Sequence, residues 1–395
     1  MTARVRTLLS PEARLLLLTS GGSANDAGIA AIARRGLDWH RLTRIAEAER
    51  AEPVLVRRLR AVTGAGLPAE AARLEQLARV ADFRQCWIEE RLVASLRTLR
   101  QAGIDAVLLK GAALAISEYG SFLDRPMADL DLLVSPARAQ EAHRLLRGAG
   151  WAWEHDPRLD AFYDTHHHLA PLHDARGVGV GLDLHTTPLC AGNPFLLDGD
   201  VMRQRATPVS VKGVLAFLPD VHDQLLHLCV HFAWSHLLSS GSWRTFRDIG
   251  TLVSAGRIDW ATFVDRARAH RAGSCCYWVL RLAGDLTGLV VPDEVSRALR
   301  PPASALTLAA LERHYVLHLL PAESLSASVR LTGLMWSAGI QPRRMGHGLA
   351  RPWDRTAAFA PTSRAAGAAA RPTIAGRMRR LRVLGEYTRA MLGAS

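Results

Sequence analysis

The feature that most constrains this chain is a change of period at Ile104. Before it, apolar residues recur at helical spacing from Ser10 to about Gln101. After it, residues 108–134, LLKGAALAISEYGSFLDRPMADLDLLV, read as strand, tight turn, helix, loop and strand. The first strand, 104–109, is short and apolar and ends in Lys110-Gly111. A helix at 112–119 follows, closed by Gly120; 127–134 is the second strand, and 136–148 is again helical. A strand–helix–strand–helix run this compact marks an α/β or α+β core with its site at the strand ends. Asp129 and Asp131 stand two apart on the second strand, so their carboxylates share a face. Leu130, Leu132, Leu133 and Val134 imply a mostly buried strand, where unpaired acids are costly. Two such acids repel unless a cation sits between them, which points to a divalent metal site.

The flanking sequence is helical. Ser10-Pro11-Glu12 reads as an N-cap with proline at the first helical position, Asp38-Trp39 opens another helix, and Leu74, Leu77, Ala81, Ile88, Leu92, Leu96 and Leu99 trace a long one. After Gly150 alternation returns: 165–173 and 178–185 read as antiparallel strands joined by Asp174-Ala175-Arg176-Gly177. In the second strand Val178, Val180, Leu182 and Leu184 face one way, and Gly179, Gly181, Asp183 and His185 the other. A face with two glycines and an acid leaves room for a ligand. With the turn centred on Ala175-Arg176, His168 falls opposite Asp183 and His166 opposite His185. Helices are expected from Asp220 to about residue 300 and over 306–320. Gly, Pro, Ala and Arg then dominate up to a basic helix at 377–392. The expected class is α+β: a small mixed β-sheet core at 102–205, flanked by a helical lobe at 1–101, a helical bundle at 206–300, and a helical, Arg/Ala/Pro-rich and partly irregular region at 301–395.

Composition narrows the partners. The net charge of +12 by itself favours an anionic partner such as nucleic acid. Among the 49 Lys and Arg residues, however, only Lys110 and Lys212 are lysines. Arginine in place of lysine is what a GC-rich genome imposes, so a dedicated nucleic-acid surface is disfavoured. The same bias singles out Lys110, where a compact, flexible ammonium is retained beside a glycine. Cys86, Cys190, Cys229, Cys275 and Cys276 are odd in number and lack CxxC spacing, which argues against a disulfide framework or zinc knuckle and for a reducing cytoplasm. The apolar run near the start is interrupted by Pro11, Glu12 and Arg14 and does not read as a signal peptide. No apolar run reaches the length of a membrane span, so no membrane partner is expected.

Three features converge on one chemistry: a Lys-Gly turn after a strand, the Asp-x-Asp strand, and Leu182-Asp183-Leu184. Nucleotidyl transfer uses divalent ions about 3.5–4 Å apart to hold a triphosphate and activate an acceptor oxygen. Clustered carboxylates are the usual ligands for such hard cations. Lys110 and the backbone at Gly111 are placed to meet phosphate, and Arg125, four residues before Asp129, to grip a phosphate oxygen.

The pattern LLKGAALA…RPMADLDLLV…LDLH resembles the polymerase-β-type nucleotidyltransferase superfamily, in its branch of uncharacterised bacterial nucleotidyltransferases. The likeness is specific over 104–185 and looser at Asp38-Trp39 and at Trp243-Arg244-Thr245-Phe246-Arg247-Asp248. It implies a catalytic and metal-binding triad of Asp129, Asp131 and Asp183 holding two Mg²⁺ ions, with Mn²⁺ as a substitute. Asp129 and Asp131 would bridge both ions, and Asp183 would bind the catalytic one and help deprotonate the acceptor. His168 and Asp248 join Lys110, Gly111 and Arg125 as expected nucleotide contacts. The substrate implied is an NTP, ATP foremost; the acceptor is a hydroxyl or phosphate on an unassigned small molecule or natural-product peptide. Lys110-Gly111 departs from the Gly-Ser that most of the superfamily carries, which keeps open a catalytically silent nucleotide-binding or regulatory protein of the same fold.

A third reading is a zinc-dependent hydrolase built on His166, His167, His168, His173 and His185. Consecutive strand positions alternate faces, so only His166 and His168 of the triplet would share an ion. His227 and His231 stand at i and i+4 but have no acid between them.

Overall fold

The computed structural model describes residues 7–64, 66–153, 159–163, 166–190, 193–323, 329–340, 382 and 385–392. The chain begins with α1 (Pro11–Thr19), α2 (Asp26–Ala33), α3 (Trp39–Glu49), α4 (Glu52–Thr63) and the long α5 (Ala72–Gln101). Local chemistry explains their starts: Ser10 Oγ accepts from the Ala13 N–H at 3.1 Å, and Asp38 Oδ1 accepts from the Arg41 N–H at 2.9 Å.

The core elements follow as β1 (Val107–Leu108), α6 (Lys110–Leu114) continuing into a π-turn at Ala115–Tyr119, β2 (Asp129–Leu133), α7 (Pro136–Gly148), β3 (Trp151–Ala152), α8 (Asp160–Tyr163), β4 (Leu172–Asp174), β5 (Gly181–His185), α9 (Gly199–Arg205), β6 (Thr207–Val211) and β7 (Val214–Leu218). Among the described residues the strands form one mixed sheet in the order β3-β4-β5-β2-β1-β7-β6. The two inner pairings with the site strand differ in sense: β1 runs antiparallel to β2, and β5 runs parallel to it.

Helices then return as α10 (Val221–Val230) with a π-turn at His231–Ser235, α11 (Ser242–Ser254), α12 (Trp260–Ala269), α13 (Gly273–Thr287), α14 (Asp293–Leu299), α15 (Ala305–His318) and α16 (Val329–Ile340). The basic helix expected at 377–392 falls partly outside the described residues. No helix among the described residues is long and apolar enough to cross a membrane.

Among the described residues, two large apolar cores and a small third one around Val107, Leu109, Leu133 and Met202 divide the molecule. One joins the second half of α5, through Ile88, Leu92 and Leu96, to the sheet residues Leu130, Leu132, Leu182 and Leu184. The other combines α1 to α4 with the helices after Asp220, burying Leu16, Leu55, Trp243, Trp278 and Trp336 together. The apolar faces of the N-terminal helices are closed by the C-terminal ones.

The hairpin register differs from the expected one. Leu172 pairs with Leu182 and His173 with Gly181, and an isolated bridge joins His168 to His185 rather than to Asp183. Pro171, which has no N–H to donate, interrupts the expected 165–173 strand, leaving only Leu172–Asp174 as a ladder. The turn is also longer than four residues, closing with the Asp174 N–H on Val180 O at 2.9 Å. Strands β6 and β7 had no expected counterpart. They are joined by Lys212-Gly213, both with positive φ (45° and 81°), as a type I′ hairpin turn demands.

One buried acid outside the sheet yields a pH-dependent expectation. Glu52 in the first turn of α4 is buried, its Oε2 finds no hydrogen-bond partner among the described residues, and burial pushes its carboxyl up to about 7. A folded-state pKa above the unfolded 4.5 means that the folded chain holds a proton the unfolded chain releases, so stability falls as pH rises through that window. Glu52→Gln is expected to raise the thermal midpoint at pH 8 by the equivalent of about 1–3 kcal/mol and to change little at pH 4. Melts at the two pH values check this; equal shifts at both would refute it.

Candidate active site

Period-2 alternation sends Leu130, Leu132, Leu182 and Leu184 into the sheet core and turns Asp129, Asp131, Asp183 and His185 to the opposite face. The parallel pairing of β2 with β5 then sets Asp131 directly beside Asp183, Asp129 beside Gly181, and Leu133 beside His185. A strand pair thus brings together two carboxylates that lie far apart along the chain.

Their environments are unequal. Asp131 is buried, and its Oδ1 receives Lys110 Nζ at 2.7 Å and His185 Nε2 at 2.7 Å. Burial pushes the Asp131 carboxyl up, but the ammonium and the imidazole outweigh burial and hold it well below the usual carboxylate range. Among the described residues Asp183 has no such partner. Burial and then the neighbouring Asp131 charge push its carboxyl up to about 7. Asp129 is exposed at the strand start, with Arg50 Nη1 3.9 Å from its Oδ1. One ligand atom from each of Asp131, Asp183 and His185 lies within 4.8 Å of the others. Two hard oxygen donors that repel each other at that spacing could hold a divalent metal ion, with Asp129 on the same face.

These groups open on a cavity of about 550 Å³. Each of the residues expected at the nucleotide, Lys110, Gly111, Arg125, His168 and Asp248, lines it. Their roles are not alike. Arg125 donates Nε to Asp248 Oδ1 at 2.6 Å and Nη2 to Asp248 Oδ2 at 2.7 Å, while Nη1 donates to Pro126 O at 2.7 Å. Its guanidinium, expected to grip phosphate, is committed to this buried pair, because Asp248 on α11 is the nearest counter-charge in a dry wall. Gly111 permits the packing: a Cβ there would stand 3.3 Å from Arg125 Nη1.

Sequence reasoning missed Arg50, Arg244 and His236, all on the cavity wall. Arg244 follows Gly241, whose φ of 81° suits glycine, and the Glu49 carboxylate accepts from the Gly241 and Trp243 N–H groups at 3.2 and 2.9 Å, capping α11 from α3. Arg244 stands four residues before Asp248, so helical spacing could have placed both on one face. Arg50 carries no local signal. Backbone strain also concentrates here: Arg50, Lys110 and Leu237, with φ of 55°, 47° and 54°, all line the cavity.

The histidines behave differently from strand alternation. Residues 166 and 167 lie in a bend, not a strand, and the rings of His166 and His167 are 4.1 Å apart. Burial and neighbouring positive groups push His168 down to about 3 and His236 to about 4, so both are neutral at physiological pH. His168 Nδ1 shares a hydrogen bond with Leu169 O at 2.7 Å. Positive charge in the cavity therefore comes from Lys110, Arg50 and Arg244.

In a comparison with known families, the model of a family described as uncharacterised nucleotidyltransferase fits residues 35–288, more than half of the chain. No curated protein and no solved structure matches.

Proposed function

The chain belongs to the uncharacterised nucleotidyltransferase family, and from that premise we propose that it is an Mg²⁺-dependent enzyme that moves a nucleoside monophosphate from an NTP to an acceptor hydroxyl or phosphate, releasing pyrophosphate. The observation that carries this reading is the Asp131–Asp183 juxtaposition across β2 and β5, with Asp129 on the same face. Bound between these carboxylates, the divalent ions would neutralise triphosphate charge and acidify the acceptor oxygen.

The protein's own groups account for the rest of the proposal. The acceptor oxygen bonds to the α-phosphorus, the bond from that phosphorus to the β-phosphate bridging oxygen breaks, and Asp183 takes the acceptor proton. Lys110, fixed by Asp131, adds an ammonium at the floor of the cavity, while Arg50 and Arg244 supply charge for the triphosphate at its wall. Arg125 and Asp248 hold the wall that the nucleotide meets. ATP is the first nucleotide to test, and a small molecule or natural-product peptide the first class of acceptor.

One observation favours a second reading, nucleotide binding without turnover. Lys110 Nζ already sits 2.7 Å from Asp131 Oδ1, where it can substitute for part of the metal charge. The test is pyrophosphate release from each of the four NTPs with Mg²⁺ and a panel of hydroxyl and phosphate acceptors. Acceptor-dependent release that EDTA stops is the expected result. Calorimetric ATP binding with no release across the panel would establish the silent reading instead.

A further inference from the structure

A second cluster of metal-ligating side chains stands beside the acids and has no role in the proposed transfer. His167 Nδ1 lies 2.7 Å from Cys190 Sγ, the His166 and His167 rings are 4.1 Å apart, and one ligand atom from each of the three residues lies within 4.8 Å of the others. We propose that His166, His167 and Cys190 form a zinc site, separate from the carboxylate site, that fastens the histidine segment to the loop after β5.

The donor chemistry separates the two sites. A thiolate and two imidazoles select zinc and other borderline-soft ions, whereas the Asp131 and Asp183 oxygens select hard ones. The fold assembles the zinc ligands without help from the metal. The Thr186 N–H donates to His167 O at 2.9 Å and the Leu169 N–H to Leu184 O at 3.0 Å, stitching the histidine segment to β5 and the residues after it. On the other side, Asn193 Nδ2 donates to Cys190 O at 2.7 Å and its Oδ1 accepts from the Phe195 N–H at 2.7 Å, which holds the loop that presents the thiol. The three residues are half-buried, and His166 and His167 line the cavity, which gives the ion an entry path. On binding, the Cys190 thiol gives its proton to solvent and the sulfur becomes a thiolate ligand. Three protein ligands leave a fourth tetrahedral position for water. Because the site forms one wall of the cavity, zinc would rigidify that wall. The inference does not depend on the transferase reading.

The test uses untagged full-length protein stripped of metal and titrated with ZnCl₂ against a competing chromogenic chelator. A single tight equivalent is expected in the wild type. Cys190→Ser and His167→Gln should each weaken it by about 100-fold or more, while Asp183→Asn should not. Co²⁺ in place of zinc should give a thiolate-to-cobalt charge-transfer band that Cys190→Ser removes. The proposal is overturned if the wild type shows no thiolate band with Co²⁺, or if zinc binds equally well to both ligand variants. Loss of zinc in Asp183→Asn with retention in Cys190→Ser would likewise overturn it, by placing the ion among the carboxylates. The wild-type cobalt spectrum decides the matter even where a variant fails to fold.

Discussion

Replacing Asp183 with Asn is expected to abolish nucleotidyl transfer, by on the order of 10³-fold or about 4 kcal/mol of barrier, while leaving the metal-free protein as stable as the wild type or more so. Its neighbour should behave oppositely in stability. Asp131→Asn is also expected to abolish transfer, but to cost the fold about 3–5 kcal/mol, because it removes the carboxylate that, among the described residues, bonds both the half-buried Lys110 ammonium and the buried His185 imidazole. The signs follow from the two environments. Asp183 has a folded pKa raised from 3.8 to about 7, so in metal-free protein its contribution grows less favourable as pH rises across that window. Asp131 has a folded pKa lowered below 3.8, so its contribution is present above that value and lost on acidification. Thermal melts in EDTA at pH 5 and pH 8, run beside a pyrophosphate assay with Mg²⁺, separate the two. Full transfer by either variant would remove the basis of the proposed function. Equal destabilisation by both would show that the asymmetry of the pair is misassigned.

The second large effect concerns the wall of the cavity. Asp248→Ala is expected to destabilise the protein by about 3–5 kcal/mol, since it strands the buried Arg125 guanidinium and removes the acceptor of the Tyr119 hydroxyl at 3.1 Å. Replacing both partners, Arg125→Met with Asp248→Leu, should restore most of that stability, because the cost lies in the orphaned charge rather than in the lost attraction. Urea denaturation of the single and double variants measures both. A loss under about 1 kcal/mol in Asp248→Ala would mean that the pair is solvated and the guanidinium free to meet phosphate.

Much of this site was open to reading along the chain. Strand side chains alternate with period 2 whatever the fold around them, so the leucine face and the acid face of β2 and β5 followed from residue order. The turn at Lys110 and the caps at Ser10 and Asp38 are local in the same sense. Where local signals competed, the reading failed. Pro171 cut a strand that looked continuous, and the Lys212-Gly213 hairpin went unread because lysine is not a usual turn residue, although TPVSV and VLAFL alternate around it.

The sequence by itself determined which side chains share a strand face, Asp129 and Asp131 on one strand and Asp183 on another, with Lys110 at the preceding turn. Only the tertiary structure decided that β5 lies parallel to β2, so that Asp183 abuts Asp131; that Lys110 reaches Asp131; and that Arg125 closes on Asp248, 123 residues away. It also decided that Glu49 of α3 caps α11, which brings Arg50 and Arg244 to the same cavity. The reason is physical. Periodicity and turn chemistry fix where a side chain points from its own backbone, but strand pairing and charge pairing across a buried wall are chosen by contacts between distant segments, and those form only once both large apolar cores have closed.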